Sequence, residues 1–390
     1  MENTNKPIHK PTSPNFSSGP CKKRPGWSLS NLSQDSLGRS HRSEVALERI
    51  QSAINLSREI LRIPEDYKLG IVPGSDTGAM EIALWSLLGK NKVEVLAWES
   101  FGKDWVKDII DELKLDDSIT HIADYGCLPN LNEINFNNDV IFTWNGTTSG
   151  VCVPNGDWIP NSREGITICD ATSAVFSINI PWEKLDVATY SWQKVLGGEA
   201  GHGVIILSPK AVNRIESHDP DWPIPKLFRI KKGGKINHAI FSGSTINTPS
   251  MLCVEDLLDS LNWVNRIGGL TELFKRTDRN AKKIESWVDR SSWVSYLAEN
   301  KEFRSKTSVC LKIKDKGFGS LQKDNQVKFL KMMTDALEVE KVAFDIRSYR
   351  DAPLGLRIWC GSTIDSDDIE NLLPWLDWSY SKTKQKIESN

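Results

Sequence analysis

Six short runs rich in Val, Ile and aromatic residues recur at fairly regular spacing, at 68–72, 93–98, 139–144, 165–169, 187–192 and 203–207. Helical patterns follow two of them, at 78–88 and 101–113. A further helix is expected ahead of the first run, at 43–62, stopped by Pro64. Strands alternating with helices predict an α/β fold with a mostly parallel central sheet and helices on both faces. In such a sheet the working side chains gather at the carboxyl ends of the strands.

From about residue 250 the texture changes. A long helical region at 254–288 is followed by a strand (308–313), a helix (326–338), a strand (356–360) and a helix (365–376), which suits a smaller C-terminal α+β domain. The 390 residues exceed what one core ordinarily serves. The expected division is a flexible, polar, Pro-rich tail at 1–14, a large domain with an N-terminal substrate segment at 15–255, and a small domain at 256–390. The charged helix at 275–287 reads as a solvated face over a buried stripe, and the basic residues around Lys231 and Lys235 as a solvated loop.

Charge narrows the function classes. With 49 basic and 51 acidic residues there is no global field to draw nucleic acid or an anionic membrane, so an anionic small molecule must be recognised locally. The seven cysteines are scattered and never form a CxxC pair, which argues for reduced thiols and against a disulfide scaffold or zinc ribbon, and no metal site is expected. The opening residues lack a secretory apolar core, and no apolar run approaches about 18 residues, so a cytoplasmic enzyme is expected.

Asp170 closes one apolar run and Lys194 lies just past the next, which brings an acid and an amine to one sheet edge. Pyridoxal phosphate (PLP) chemistry uses such a pair, the lysine to bind the cofactor carbonyl and the carboxylate to keep the pyridine nitrogen protonated. Spacing alone leaves open two unrelated surface charges. Local context adds weight, because Lys194 opens a glycine-dense loop, Val195-Leu196-Gly197-Gly198-Glu199-Ala200-Gly201-His202-Gly203. The turn Pro73-Gly74-Ser75-Asp76-Thr77-Gly78 joins a strand to a helix, where free amides and the hydroxyls of Ser75 and Thr77 can cradle a phosphate. Asp76 is awkward beside a phosphate and has an alternative role as helix N-cap.

These pieces, with Asn15-Phe16-Ser17-Ser18-Gly19-Pro20, Ser40-His41-Arg42, Asn145-Gly146-Thr147-Thr148-Ser149-Gly150, Asp170-Ala171-Thr172-Ser173, Ser191-Trp192-Gln193-Lys194 and Ile246-Asn247-Thr248-Pro249, form an ordered set. The set resembles the phosphoserine aminotransferases of the class V, fold type I PLP enzymes, particularly their alphaproteobacterial and archaeal subgroup. The resemblance implies that Lys194 binds the cofactor covalently, Asp170 pairs with the pyridinium, and Thr147 donates to the ring hydroxyl. It places Phe101 on the ring face, where many members have Trp, and Ser75, Asp76, Thr77 and Gln193 around the phosphate. Asn247 and Thr248 would complete that cradle from the other subunit of a homodimer, although a helix start, with Thr248 as N-cap, is an alternative reading of the same turn.

The resemblance also implies substrate arginines, whose planar forks suit carboxylates and phosphates. Arg357 matches the group that holds the α-carboxylate, while His41, Arg42 and Arg350 match groups that hold the distal phosphate or carboxylate. Tyr349 stands where a His is usual, which leaves Arg347 a competitor of Arg350. The implied reaction moves an amino group from L-glutamate to 3-phosphohydroxypyruvate, giving O-phospho-L-serine and 2-oxoglutarate, with a related phosphorylated substrate of vitamin B6 synthesis as an extension. Rival readings are another class V transaminase, such as an alanine or serine transaminase acting on glyoxylate, and a non-catalytic PLP fold. The 15 tryptophans read as core, and His202 and His238 as supporting groups.

Overall fold

The six expected runs, with one strand the sequence did not announce, form a seven-stranded sheet in a computed structural model that describes residues 5–389. In chain order, α1 (Glu44–Leu61) leads into β1 (Lys68–Pro73), α2 (Ser75–Leu87), β2 (Val93–Ala97), α3 (Ser100–Lys107) and β3 (Ile119–Ile122). Then come β4 (Asp139–Thr143), the small hairpin β5 (Asn145–Gly146) and β6 (Val151–Cys152), β7 (Thr167–Asp170), β8 (Val187–Tyr190), β9 (His202–Leu207) and α4 (Pro209–Ser217). The strand order is β1-β9-β8-β7-β4-β2-β3. β9 alone runs against its neighbours, so β1, β2, β4, β7 and β8 all present their carboxyl ends at one edge.

Alternation along the strands feeds two packed layers. Ile141, Ile168, Ile205 and Leu207 pack with Ala79, Ile82 and Leu84 of α2, Trp105 of α3 and Ile215 of α4. Val140, Phe142, Cys169, Val204 and Ile206 face the other way, into a core with Ile50 and Ile54 of α1 and Leu257 and Leu261 of the helix that follows the sheet. Helices thus cover both faces, as the period of two along each strand and the strand-helix alternation require.

The chain continues through a short hairpin, β10 (Lys231–Lys232) and β11 (Lys235–Ile236), where the sequence suggested only loop. Next are α5 (Met251–Ile267) and α6 (Gly269–Arg290). The single helical region expected at 254–288 is broken, because Gly268 and Gly269 take positive φ of 114° and 70°, which ends one helix and lets the next start in a new direction. Ser250 caps α5, accepting from Cys253 N, so the start anticipated at Thr248 lies two residues early. A three-stranded antiparallel sheet, β12 (Val294–Tyr296), β13 (Ser308–Ile313) and β14 (Gly355–Trp359), packs with α7 (Lys316–Gly319), α8 (Lys323–Val339) and α9 (Ser366–Glu388). α9 outruns its expected end at 376 despite Pro374 within it.

The tail differs from expectation. Met1 to Thr4 lie outside the described residues, but 5–14 are tied to the C-terminal layer rather than free. Thr12 N donates to Asp368 Oδ1 at 2.6 Å, Trp375 Nε1 to the His9 carbonyl at 2.7 Å, and Phe344 N to the Pro14 carbonyl at 2.8 Å. Polar composition suggested solvation, whereas these groups find fixed partners on α9 and beside β14. Beyond them, Trp359 N donates to the Phe16 carbonyl and Cys21 N to the Gln193 carbonyl, so the segment runs from β14 to the sheet edge. Among the described residues no helix is long and apolar enough to cross a membrane.

Candidate active site

The site is built at the shared carboxyl edge. β1 ends at Pro73, and Gly74, at φ 85°, turns the chain into α2. Gly78 must remain a glycine because a Cβ there would collide with the Pro73 carbonyl. Gly74 occupies the N-cap, so Asp76 is the second residue of the helix and not its cap as anticipated. The unpaired amides of this first turn, with Ser75 and Thr77, open on a cavity also lined by Phe101 of α3, Thr147, Asp170 at the end of β7, and Gln193 and Lys194 after β8. Eight of the residues singled out from sequence as cofactor ligands therefore converge in one place.

Lys194 is buried, and its ammonium donates to the Ser18 carbonyl of the N-terminal segment. Burial lowers its pKa; the neighbouring Cys21 acts against that shift and Arg357 adds to it. Asp170 is also buried, but two donors hold it, Thr172 N on Oδ1 at 3.0 Å and Trp105 Nε1 on Oδ2 at 3.4 Å. Thr147 Oγ1 donates to Ser173 Oγ at 3.0 Å, which in turn donates to the Asn145 carbonyl, so the Thr147 side chain is fixed at the cavity wall. The glycine loop after Lys194 does close work, since Gly197 at φ 64° leaves no room for a Cβ against the Lys22 carbonyl.

A second pocket, behind the N-terminal segment, carries Arg357 on β14 beside Cys21 and Asp345, and Arg357 is near enough to act on the Lys194 amine. Its Nε is buried without a hydrogen-bond partner, and its guanidinium lies 5.4 Å from the centre of the Tyr349 ring. Tyr349 also packs on Phe101 at 5.6 Å, and the exposed Arg350 covers it at 5.3 Å. Arg347 is exposed nearby in the chain. Within the protomer the structure does not bring every candidate together. His41 is half-buried and Arg42 exposed ahead of α1, Asn247 and Thr248 are exposed ahead of α5, and none of the four lines the Lys194 cavity.

Several residues escaped sequence reasoning. Glu99 caps α3 from a fully buried position, accepting from Gly102 N and Thr148 Oγ1, each at 2.7 Å, and burial pushes its carboxyl up to about 7. Its signal was available, as a Glu one residue ahead of a helix start. Trp105, Thr143 and Thr172 also line the cavity, but nothing in their local pattern separates them from core or turn residues. His202 is stacked on Trp192 at 5.2 Å and accepts from Ser250 N, as a supporting group would.

The donor set fits pyridoxal phosphate. Four buried oxygens around Asp170, Asp76 Oδ1, Thr143 Oγ1, Thr172 Oγ1 and Thr189 Oγ1, have no protein partner, and a helix start faces the same space. A buried amine and a carboxylate then meet an anion cradle, which is what a flat phosphorylated aldehyde with a ring nitrogen requires.

No family model matches the chain. The chain is 55% identical to the phosphoserine aminotransferase of Methanosarcina mazei, over 97% of its own length and all of the relative's. The chain belongs to the phosphoserine aminotransferase family. It is accordingly an aminotransferase that works with pyridoxal phosphate. Solved structures share the fold at lower identity. The phosphoserine aminotransferase of Cytophaga hutchinsonii superposes with a TM-score of 0.77 at 19% identity, covering 93% of this chain and 98% of the other. The PLP-bound enzyme of Trichomonas vaginalis gives 0.72 at 19% identity over 94% and 99%.

Proposed function

We propose that this phosphoserine aminotransferase moves the amino group of L-glutamate to 3-phosphohydroxypyruvate, giving O-phospho-L-serine and 2-oxoglutarate. The observation that carries the reading is a buried Lys194 and Asp170 in one cavity, with Arg357, its Nε unpaired, close enough to act on Lys194, in a chain so similar to a family member. When bound, pyridoxal phosphate supplies a carbonyl that takes the amine and a ring that accepts the electron pair freed at the substrate α-carbon.

The chain's own residues do the rest. Lys194 Nζ, kept readily neutral by burial, holds the cofactor and then carries the proton to and from the substrate α-carbon. Asp170 keeps the ring nitrogen protonated, with its orientation set by Thr172 N and Trp105. Phe101 would cover the ring face, and Thr147, whose hydroxyl donates to Ser173 in the protein alone, would turn that proton to the ring hydroxyl. Ser75, Thr77, Gln193 and the start of α2 bind the phosphate. Arg357 takes the α-carboxylate of either substrate, because a guanidinium with a buried unpaired Nε gains most from a planar anion. His41, Arg42 and Arg350 take the distal phosphate or carboxylate.

The position of the half-buried His41 and the exposed Arg42, Asn247 and Thr248, away from their own cavity, favours a homodimer in which each subunit lends them to the other's site. Seven free thiols suit the cytoplasm. A half-reaction screen of the purified holoenzyme tests the activity. Phosphoserine and glutamate should both convert the bound aldehyde form of the cofactor to its amine form, followed by absorbance, while serine and alanine do so poorly. Equal conversion by alanine would point instead to a transaminase with no need for the distal cations.

A further inference from the structure

Asp76 is a carboxyl in a place built for an anion. It sits in the first turn of α2, is only 8% exposed, and its Oδ1 has no hydrogen-bond partner. It lines one cavity with the buried Asp170 and with Thr172, whose hydroxyl likewise has no partner among the described residues. Two buried carboxylates facing one small cavity cannot both keep their charge without a cation to answer each.

Among the described residues the neighbouring elements supply none, and the protonated ring nitrogen of the loaded enzyme would answer the charge of Asp170 alone. After β8, Lys194 directs its amine to the Ser18 carbonyl. On β9, His202 is stacked on Trp192 and held towards its neutral form by burial. After β2, Glu99 is engaged with Gly102 and Thr148, and on β7 the thiol of Cys169 is held protonated by burial. Among the described residues no Lys, Arg or His forms an ion pair with Asp76.

We propose that Asp76 works as a neutral carboxylic acid that donates a hydrogen bond to Asp170, so that the pair holds a single negative charge and Asp170 carries it. The choice between the two partners follows from their donors. Asp170 receives two N–H groups, which stabilise its anion, while no N–H reaches Asp76. Burial and the Asp170 charge both push the Asp76 carboxyl well above the ordinary carboxylate range, in the same sense. Two consequences follow for the site. A neutral acid in the first turn of α2 removes the conflict with a phosphate bound there. An acid proton on Asp170 also fixes the carboxylate's orientation and lowers its basicity, so the proton shared with the ring nitrogen stays on the ring.

The inference rests on Asp170 as the partner of the ring nitrogen, and the experiment separates the two. Infrared difference spectra of wild-type and Asp76→Asn holoenzyme at neutral pH should show a protonated carboxyl stretch that the variant lacks. Asn keeps the shape and the donor, so the dissociation constant of pyridoxal phosphate should change by less than about fivefold. Asp76→Ala removes the donor, and the pH at which the cofactor's visible band titrates should move in that variant and stay in place in Asp76→Asn. Absence of the protonated stretch, or cofactor binding tightened more than about tenfold by Asn as an anion is removed beside phosphate, would overturn the proposal. Failure of the Asp170 assignment reads differently. The nitrogen-15 shift of labelled cofactor would then be the same in wild type and Asp170→Asn, while the infrared band still reports whether Asp76 is protonated.

Discussion

At the scale of single residues the site is a set of groups whose ordinary charge is altered by burial. Lys194 has its pKa lowered from the usual 10.5, so the folded protein holds fewer protons there than the unfolded chain in the window just below that value. Stability therefore rises with pH across this window, because the unfolded state alone must release a proton. The same shift makes the free amine available earlier. Loading of cofactor-free protein by pyridoxal phosphate should accelerate as pH rises through a midpoint below 10.5, and stopped-flow absorbance checks it. Lys194→Ala should abolish covalent retention after borohydride reduction, and a pyridoxyl group mapped on any other lysine would overturn the assignment. At this scale the sequence was informative where chemistry demands a residue type, as at Lys194, Asp170 and Arg357. It was silent where the role is conferred by a neighbour from elsewhere in the chain. Trp105 looks like any core aromatic until its indole N–H is found on Asp170.

Elements were legible wherever a hydrophobic period was uninterrupted, and all six strands of the large sheet anticipated from the runs are present. A pair of glycines misled, while a proline within an expected helix did not. Gly268 and Gly269 split a helix that periodicity alone joins, whereas Pro374 sits within α9 without ending it. Partnerships between elements were invisible. Asp139, at the start of β4, is fully buried and accepts from Arg214 of α4 at 2.6 and 3.0 Å, from Asn91, and from Ile166 N ahead of β7. One carboxylate thus ties two strands to the covering helix. Asp139→Ala should leave the guanidinium buried and unpaired, at a cost of about 3–5 kcal/mol in denaturant-induced unfolding. A smaller loss, below about 1 kcal/mol, would mean that Arg214 finds water instead.

The whole molecule sets the limit of what one protomer can do. The Lys194 cavity is assembled from five strand ends, with Ser18 of the N-terminal segment on the lysine, and under the proposed dimer the exposed Asn247 and Thr248 would serve it from a second copy. Mixing two inactive variants, Lys194→Ala and one with Asn247 and Thr248 both changed to Ala, should restore activity, because a mixed dimer has one site free of both lesions. Recovery of about a quarter to a half of wild type is expected, and none despite proven subunit exchange would show that each protomer completes its own site. The proposed subunit arrangement rests on the family resemblance, since periodicity and spacing carry no information about a partner's surface.

The N-terminal segment has a consequence for how the protein comes into being. Its residues from His9 to Cys21 are made early, yet their partners include Phe344, Trp359 and Trp375, and Ser18 meets the Lys194 amine. While the nascent chain is still on the ribosome, the large sheet can form, but this strap has no surface to lie on until the last strand and helix emerge. A polypeptide cut short before β14 would therefore leave its lysine without the Ser18 carbonyl and exposed to solvent, so the earliest-made part of the site is the last part of the protomer to be put in place.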